Sequence, residues 1–374
     1  MDGLVFGWRS ALLLVLIGQL IVVAGLFLAR RFDRRANAVL AALLCVVALT
    51  LTPQVIGFAG FYDAFPWLSF APLQNELLVG PLLMAYAFAL TRGAVPAWVW
   101  LLMLPGAIDL AYHTYWFLQP FATRWARIGA FHEGIYVPVR TGLALALLIA
   151  GLSATARLYA DHRAFMADQS SAAAEFDPRW LPFFLAMSGL VLGAWVMLAL
   201  TDRFIPDLSY RGAYPFFVLT ALCFWGLGQG ALILHREAFP KIGAASLLKV
   251  RGPAEPSPGP ARDWAGLADQ LRRRIKDEGW HLEPRLSAPE LARRLGTNET
   301  YLSRTVNLGA GMNFNRFINE IRVDAVKARL SDGAGDLLAT ALSCGFNSKA
   351  SFNRVFKEIT GQTPAAFRKR LTGR

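Results

Sequence analysis

The chain has 374 residues, 55% of them hydrophobic, with a mean hydropathy of +0.38. That length leaves room for two or three domains, and that apolarity excludes an ordinary soluble enzyme. The formal net charge is +12, and residues 261–374 alone hold 20 of the 38 Lys+Arg against 12 of the 26 Asp+Glu, so an oily part precedes a basic one that would seek a polyanion.

Taken in chain order, the first element is an apolar run at 9–29, followed by Arg30 and Arg31 with no small-residue cleavage site, which reads as a membrane span and not a removed signal peptide. Six more runs near the span length of about 20 residues follow at 36–57, 70–91, 96–118, 134–156, 180–201 and 213–235. The third and fifth are interrupted by polar residues. RRFDRR at 30–35 sets the first loop in the cytoplasm. Alternation then adds Arg92, Arg157, Arg163 and Arg179 inside, against Arg9, Arg124, Arg127, Arg203 and Arg211 outside. The expectation is a bacterial inner-membrane protein with its N-terminus outside and its basic tail in the cytoplasm.

Ionisable groups within spans are costly and tend to be functional. Glu76, Asp109, His113 and Arg140 all fall in the outer half of the bilayer under this topology, where they either line a pocket for a polar or charged ligand or satisfy one another between helices. Cys45, Cys223 and Cys344 are isolated and read as core residues, without the spacing of a disulfide framework or zinc site. The last run lacks a lysine, which excludes a retinal Schiff base. No nucleophile elbow, metal-binding His pair or phosphate loop occurs, so neither an enzyme nor a cofactor or metal is expected.

Four prolines and two glycines at 249–263 mark a semi-rigid spacer. The expected division is a membrane domain at 1–240, a linker at 241–263 and a soluble all-helical domain at 264–374. The fold class is therefore all-α throughout.

Within the tail, LSAPELARRLGTNETYLSRTVN (286–307) opens with Ser287 and Glu290 spaced as a capping box. Gly296 supplies a turn, Thr297 or Asn298 can cap the next helix, and Leu302 and Val306 point inward. Asn298, Thr300, Ser303, Arg304 and Asn307 are expected to face out. This is a helix-turn-helix, whose second helix fits a major groove. The arrangement repeats: DLLATALSC (336–344) is a short helix, Gly345 the turn, and Asn347 or Ser348 the next cap. Phe352, Val355, Phe356 and Ile359 then form one buried face opposite Lys349, Asn353 and Lys357. Gly361 and Pro364 end that helix. Between the units, 313–330 reads as one long helix, a rigid spacer.

The segments YLSR (301–304), IRVDAVKARL (321–330), GFNSKASFNRVFK (345–357) and GQTPAAFRK (361–369) resemble the DNA-binding domain of AraC/XylS-family transcription regulators. The resemblance covers about 265–372. Thr340 departs from it, standing where the family usually has an apolar residue. It implies base reading by Thr300, Ser303 and Arg304 in the first unit and by Lys349, Ala350, Asn353 and Arg354 in the second. Ser348 with its helix N-terminus suits phosphate. Arginine suits guanine, asparagine adenine and alanine a thymine methyl. Some members of the family carry a multi-span N-terminal region, as this chain would.

The function expected is a membrane-anchored regulator that couples a membrane or periplasmic signal to promoter binding. Its expected partners are duplex DNA, the lipid bilayer, a second copy in a homodimer, and a signal ligand or partner membrane protein. The competing reading is a membrane transporter or enzyme whose helical tail binds protein or anionic lipid.

Overall fold

The computed structural model describes residues 6–121, 123–124, 131–169, 180–204, 212–234, 263–332 and 336–372. All the regular elements among them are helical. The chain divides into two compact units, residues 1–160 with 178–244 and residues 161–177 with 245–374. The expected linker at 241–263 lies outside the described residues except for Asp263.

The first unit contains α1 (Trp8–Ala29), α2 (Arg34–Phe58), α3 (Phe61–Ala64), α4 (Glu76–Arg92), α5 (Ala97–Leu101), α6 (Leu104–Phe117), α7 (Val137–Gln169) as far as Ala160, α8 (Trp180–Phe204) and α9 (Tyr214–Leu234). Among the described residues, four helices are long and apolar enough to cross a membrane: α1, α2, 134–166 and 214–233. In α8 the described apolar stretch is the shorter Leu181–Gly193. Apolar side chains cover both sides of α1: Leu13 and Leu20 are sealed in the core, while Val15, Val22 and Leu28 are exposed on the outer face, at 60%, 59% and 65%. A helix apolar all round needs an apolar surrounding on its outer face.

Two of the expected spans are altered. The run at 96–118 is broken into α5 and α6 by a turn at Leu102 and Met103. Pro105 accounts for the break, because its ring clashes with the carbonyl four residues back, at Leu101, where α5 ends. The run at 70–91 is helical only from Glu76, giving a 17-residue α4. The preceding strap, 65–75, is tied down by Arg124. This buried guanidinium donates to the carbonyls of Trp67 and Ser69, both at 3.0 Å, and to those of Phe117 and Gln119 at 2.7 and 2.8 Å.

Helices α1 and α9 run parallel. The Tyr214 hydroxyl donates to the Arg9 carbonyl at one end (3.2 Å), and Arg30 donates to the Leu232 carbonyl at the other (2.8 Å). The arginine-rich loop at 30–35 therefore sits at the end of the unit where α9 finishes. Cys223 is buried here, whereas Cys45 is exposed on α2 and corrects the expectation of three core cysteines.

The second unit contains α10 (Trp264–Asp277), α11 (Ala288–Arg294), α12 (Glu299–Gly309), α13 (Phe314–Ser331), α14 (Leu337–Ser343), α15 (Lys349–Thr360) and α16 (Pro364–Thr372). Two hydrophobic clusters hold it. Leu271, Ile275, Leu291, Leu302, Val306, Phe317 and Ile321 form one, and Val323, Val326, Phe346, Phe352, Val355 and Phe356 the other. Helix α13 contributes to both, so it is a shared core wall and more than the spacer its sequence suggests. Cys344 is sealed in the second cluster, and burial raises its thiol pKa.

Candidate nucleic-acid interface

Both turn units are built by the same local chemistry. In the first, Gly296 adopts φ +65 and the Thr297 amide donates to the Ala292 carbonyl at 2.9 Å. In the second, Gly345 adopts φ +90 and the Phe346 amide donates to the Ala341 carbonyl at 3.2 Å. These are left-handed glycine caps of the Schellman type, which turn the chain sharply and satisfy the last carbonyls of α11 and α14. The next helix is capped in each case by a side chain. Asn298 Oδ1 accepts from the Tyr301 amide at 2.8 Å, and Ser348 Oγ accepts from the Ser351 amide at 3.2 Å. Of the alternatives open in the sequence, Asn298 and Ser348 do the capping.

One expected cap fails. Ser287 occupies the N-cap position of α11 but its side chain makes no capping bond. Glu290 bonds instead to Arg294 at 2.5 Å, because Arg294 lies one turn ahead and already grips both oxygens of Glu283 at 2.6 and 2.7 Å. The charge-assisted fork outcompetes the reach back to a backbone amide. It also holds the Glu283 carboxyl below its usual pKa.

The second helix of each unit presents a polar outer face. Thr300, Arg304 and Asn307 are exposed on α12. Ser303, expected beside them, is buried at 6% exposure, and its hydroxyl accepts from Asn307 Nδ2 at 3.3 Å. It lies one turn before Val306, on the margin of the buried stripe, which explains the difference. On α15, Ser348, Lys349, Ala350, Asn353, Arg354 and Lys357 are all exposed, opposite buried Phe352, Val355 and Phe356. Arg354 reaches Glu358 at 3.9 Å, a pair so open to solvent that it costs little to break when a base edge arrives. Thr340 is buried, and its hydroxyl is satisfied by the Asp336 carbonyl at 2.7 Å, so a polar residue is accommodated in α14.

Arg322 was not among the residues singled out from sequence motifs. It is 1% exposed, on α13, where the two clusters meet. Its Nε donates to the His281 carbonyl at 2.8 Å and its Nη2 to the Glu283 carbonyl at 2.6 Å. Burial pushes its pKa down to about 10, which leaves it cationic at neutral pH. Burial also lowers the pKa of His281, whose Nδ1 lies 3.2 Å from the Ile275 carbonyl. The segment at 281–283, just ahead of the first turn unit, is thereby fixed to α13, the helix that leads into the second turn unit.

In the N-terminal unit, the four candidates Glu76, Asp109, His113 and Arg140 come together. Arg140 Nε lies 3.1 Å from Asp109 Oδ1, and Arg140 Nη2 bonds to Glu76. His113 Nδ1 stands 3.0 Å from the Asp109 carbonyl and 3.7 Å from its carboxylate. Tyr136 donates to Asp109, and Gln74 accepts from Arg140 at 2.9 Å. Neither Tyr136 nor Gln74 was legible as a member from the sequence, since neither is ionised at neutral pH. Among the described residues no group of three or more His, Cys, Asp or Glu side chains could hold a metal.

A family model described as a helix-turn-helix domain matches residues 291–370. Curated relatives share the same region. An uncharacterized HTH-type transcriptional regulator of Staphylococcus aureus strain COL is 36% identical over 88 residues, and another from S. aureus is 38% identical over 88. Each match covers 24% of this chain and 12% of the relative, so the chain spans about an eighth of the length of these proteins. A solved protein of unknown function from Listeria innocua aligns with 27% of this chain and 94% of its own, at 27% identity and a TM-score of 0.25, too low to bear on the fold. The C-terminal part of the chain carries an AraC-type helix-turn-helix domain similar to those of HTH-type transcriptional regulators, which implies that it binds DNA.

Proposed function

We propose that the protein is a membrane-anchored, sequence-specific transcription regulator whose N-terminal unit receives a signal and whose C-terminal unit binds a promoter from the cytoplasm. The observation that carries this reading is the pairing of two equivalent turn units. Each exposes a polar helix face with one arginine, at Arg304 and at Arg354. Thr300, Lys349, Ala350 and Asn353 complete the base-reading set, and Ser348 with the α15 N-terminus takes a phosphate. Ser303, buried in the free protein, acts by holding Asn307 in place.

The membrane side of the reading is supported by the four long apolar helices and by the parallel course of α1 and α9. Parallel first and last spans require an odd number of crossings between them, which suits seven spans. Helix α9 ends on the side that carries RRFDRR, which the arginine bias assigns to the cytoplasm. The cluster of Glu76, Asp109, His113 and Arg140 falls at the opposite end, where an outside signal would arrive.

The test is duplex binding by residues 261–374 against a site selected from random DNA. Arg304→Ala and Arg354→Ala should each cost about 1–3 kcal/mol on that site, a loss of roughly 5- to 150-fold, with less effect on random duplex. An equal loss on every sequence would reduce both arginines to phosphate contacts. No loss at all would remove α12 and α15 from the interface.

A further inference from the structure

Helices α2, α4, α7, α8 and α9 of the N-terminal unit leave between them a cavity of about 170 Å³. Well-packed interiors hold few voids larger than a water molecule, and one of about 150 Å³ with apolar walls stays dry and takes up benzene. Ten of the fourteen described lining residues are apolar, with Phe216, Phe217 and Phe224 of α9 among them. On α2 the lining residues Val47, Thr50, Leu51 and Gln54 recur at i, i+3, i+4 and i+7, so one face of that helix borders the space.

Two observations distinguish this cavity from a packing fault. The first is that its wall is already in contact and cannot close further. A Cβ on Gly80 would overlap the Leu147 carbonyl, and one on Gly151 would overlap the Gly80 carbonyl. Helices α4 and α7 therefore lie backbone to backbone beside the lining residues Val79 and Leu148. The second is Thr50. A threonine within a helix can give its hydroxyl to the carbonyl four residues back, as Thr52, Thr91, Thr155 and Thr220 do at 2.7–2.9 Å. The Thr50 hydroxyl is sealed from solvent, yet it makes no such bond and has no other hydrogen-bond partner. A stranded polar atom of this kind costs stability that a polar atom of a ligand restores.

We propose that this cavity binds a neutral molecule about the size of one six-membered ring that carries a single hydroxyl or carbonyl group, with the ring against the α9 phenylalanines and the polar atom on Thr50. Glu76 is the one ionisable residue among the described lining residues, and it is bonded to Arg140. An ion would therefore shed its water among apolar side chains without a free charge to pair with. A fully apolar ring would leave the Thr50 hydroxyl stranded. This assignment rests on the reading of the N-terminal unit as the receiving part of a regulator, and it names the class of signal received.

The test uses the full chain in lipid nanodiscs and a diazirine derivative of cyclohexylmethanol, which labels the residues around it on illumination. Peptide mapping should place the label on α2 and α9, and excess cyclohexylmethanol should abolish it. At equal concentration in the bilayer, methylcyclohexane should compete about three- to tenfold less well, the worth of one neutral hydrogen bond, and cyclohexanecarboxylate should not compete. Thr50→Val keeps the shape of the side chain and should erase the preference for the alcohol over the hydrocarbon at unchanged thermal stability. Ala144→Leu should fill the space and remove the competed labelling while the protein still melts cooperatively. Labelling that no competitor reduces, equal competition by alcohol and hydrocarbon, or stronger competition by the carboxylate would overturn the assignment. A retained phospholipid that blocks labelling would give the cavity to an acyl chain and overturn it too. Duplex binding by the same samples separates the two ideas. Retained DNA binding without competed labelling sinks only the cavity, and competed labelling without DNA binding sinks only the regulator reading.

Discussion

Replacing Arg322 by alanine should destabilise the C-terminal unit by about 3–5 kcal/mol, although the side chain touches no DNA-reading face. Two buried carbonyls, at His281 and Glu283, would lose their donor, and each stranded acceptor costs about 1–3 kcal/mol. The arginine stem also fills space between the two clusters, so its removal adds a cavity. For a domain of this size the loss corresponds to a fall in Tm of roughly 15–20 °C, readable by circular dichroism on residues 261–374. Arg322→Lys keeps the charge and one donor group but cannot span both carbonyls, so it should recover only part of the loss. A change below about 1 kcal/mol for the alanine variant would show that the carbonyls find other partners.

The second large effect is a contrast between two glycines in equivalent turns. Gly296→Ala and Gly345→Ala both force alanine into the left-handed region, at a cost of about 1–2 kcal/mol each. At Gly296 a new Cβ meets nothing within 4 Å, so that is the whole effect. At Gly345 the same atom would overlap the His281 carbonyl oxygen and come within 2.9 Å of Arg322 Nε. Displacing that junction adds about 1–3 kcal/mol, as overpacking in cores does. Urea unfolding should therefore rank Gly345→Ala well below Gly296→Ala, with DNA binding by the second unit lost first. Equal losses at the two positions would mean that the close approach of Gly345 to His281 and Arg322 carries no weight.

Much of the C-terminal unit was legible because short amphipathic helices announce themselves by period and punctuation. Gly296, Gly345 and Gly361 stop helices, and Asn298 and Ser348 start them, through bonds local enough to be read from spacing. What failed was anything decided by competition or by distant neighbours. The Ser287 box lost Glu290 to Arg294, a rival that spacing alone does not rank. Ser303 was assigned outward for its polarity, yet a small hydroxyl bonded to Asn307 is tolerated on the buried margin. Arg322 lies four residues from both Ile318 and Val326, on the apolar stripe of α13, and that register was the available signal of its burial.

The candidate residues of the N-terminal unit followed the same rule. Glu76, Asp109, His113 and Arg140 stood out as charges within long apolar runs, and folding brings all four together. Their uncharged companions Tyr136 and Gln74 depend on tertiary placement that no local pattern records. Length alone overstated the run at 96–118, where Pro105 divides one apolar stretch into two helices.

The most direct measurement is duplex binding by sealed membrane vesicles of known orientation, prepared from cells that make the full chain. Inside-out vesicles should bind a labelled chromosomal site, with affinity falling by orders of magnitude between roughly 50 and 200 mM salt as counterions compete. Right-side-out vesicles should not bind. Binding confined to the right-side-out preparation, or absent from both, would contradict a cytoplasmic DNA-binding tail.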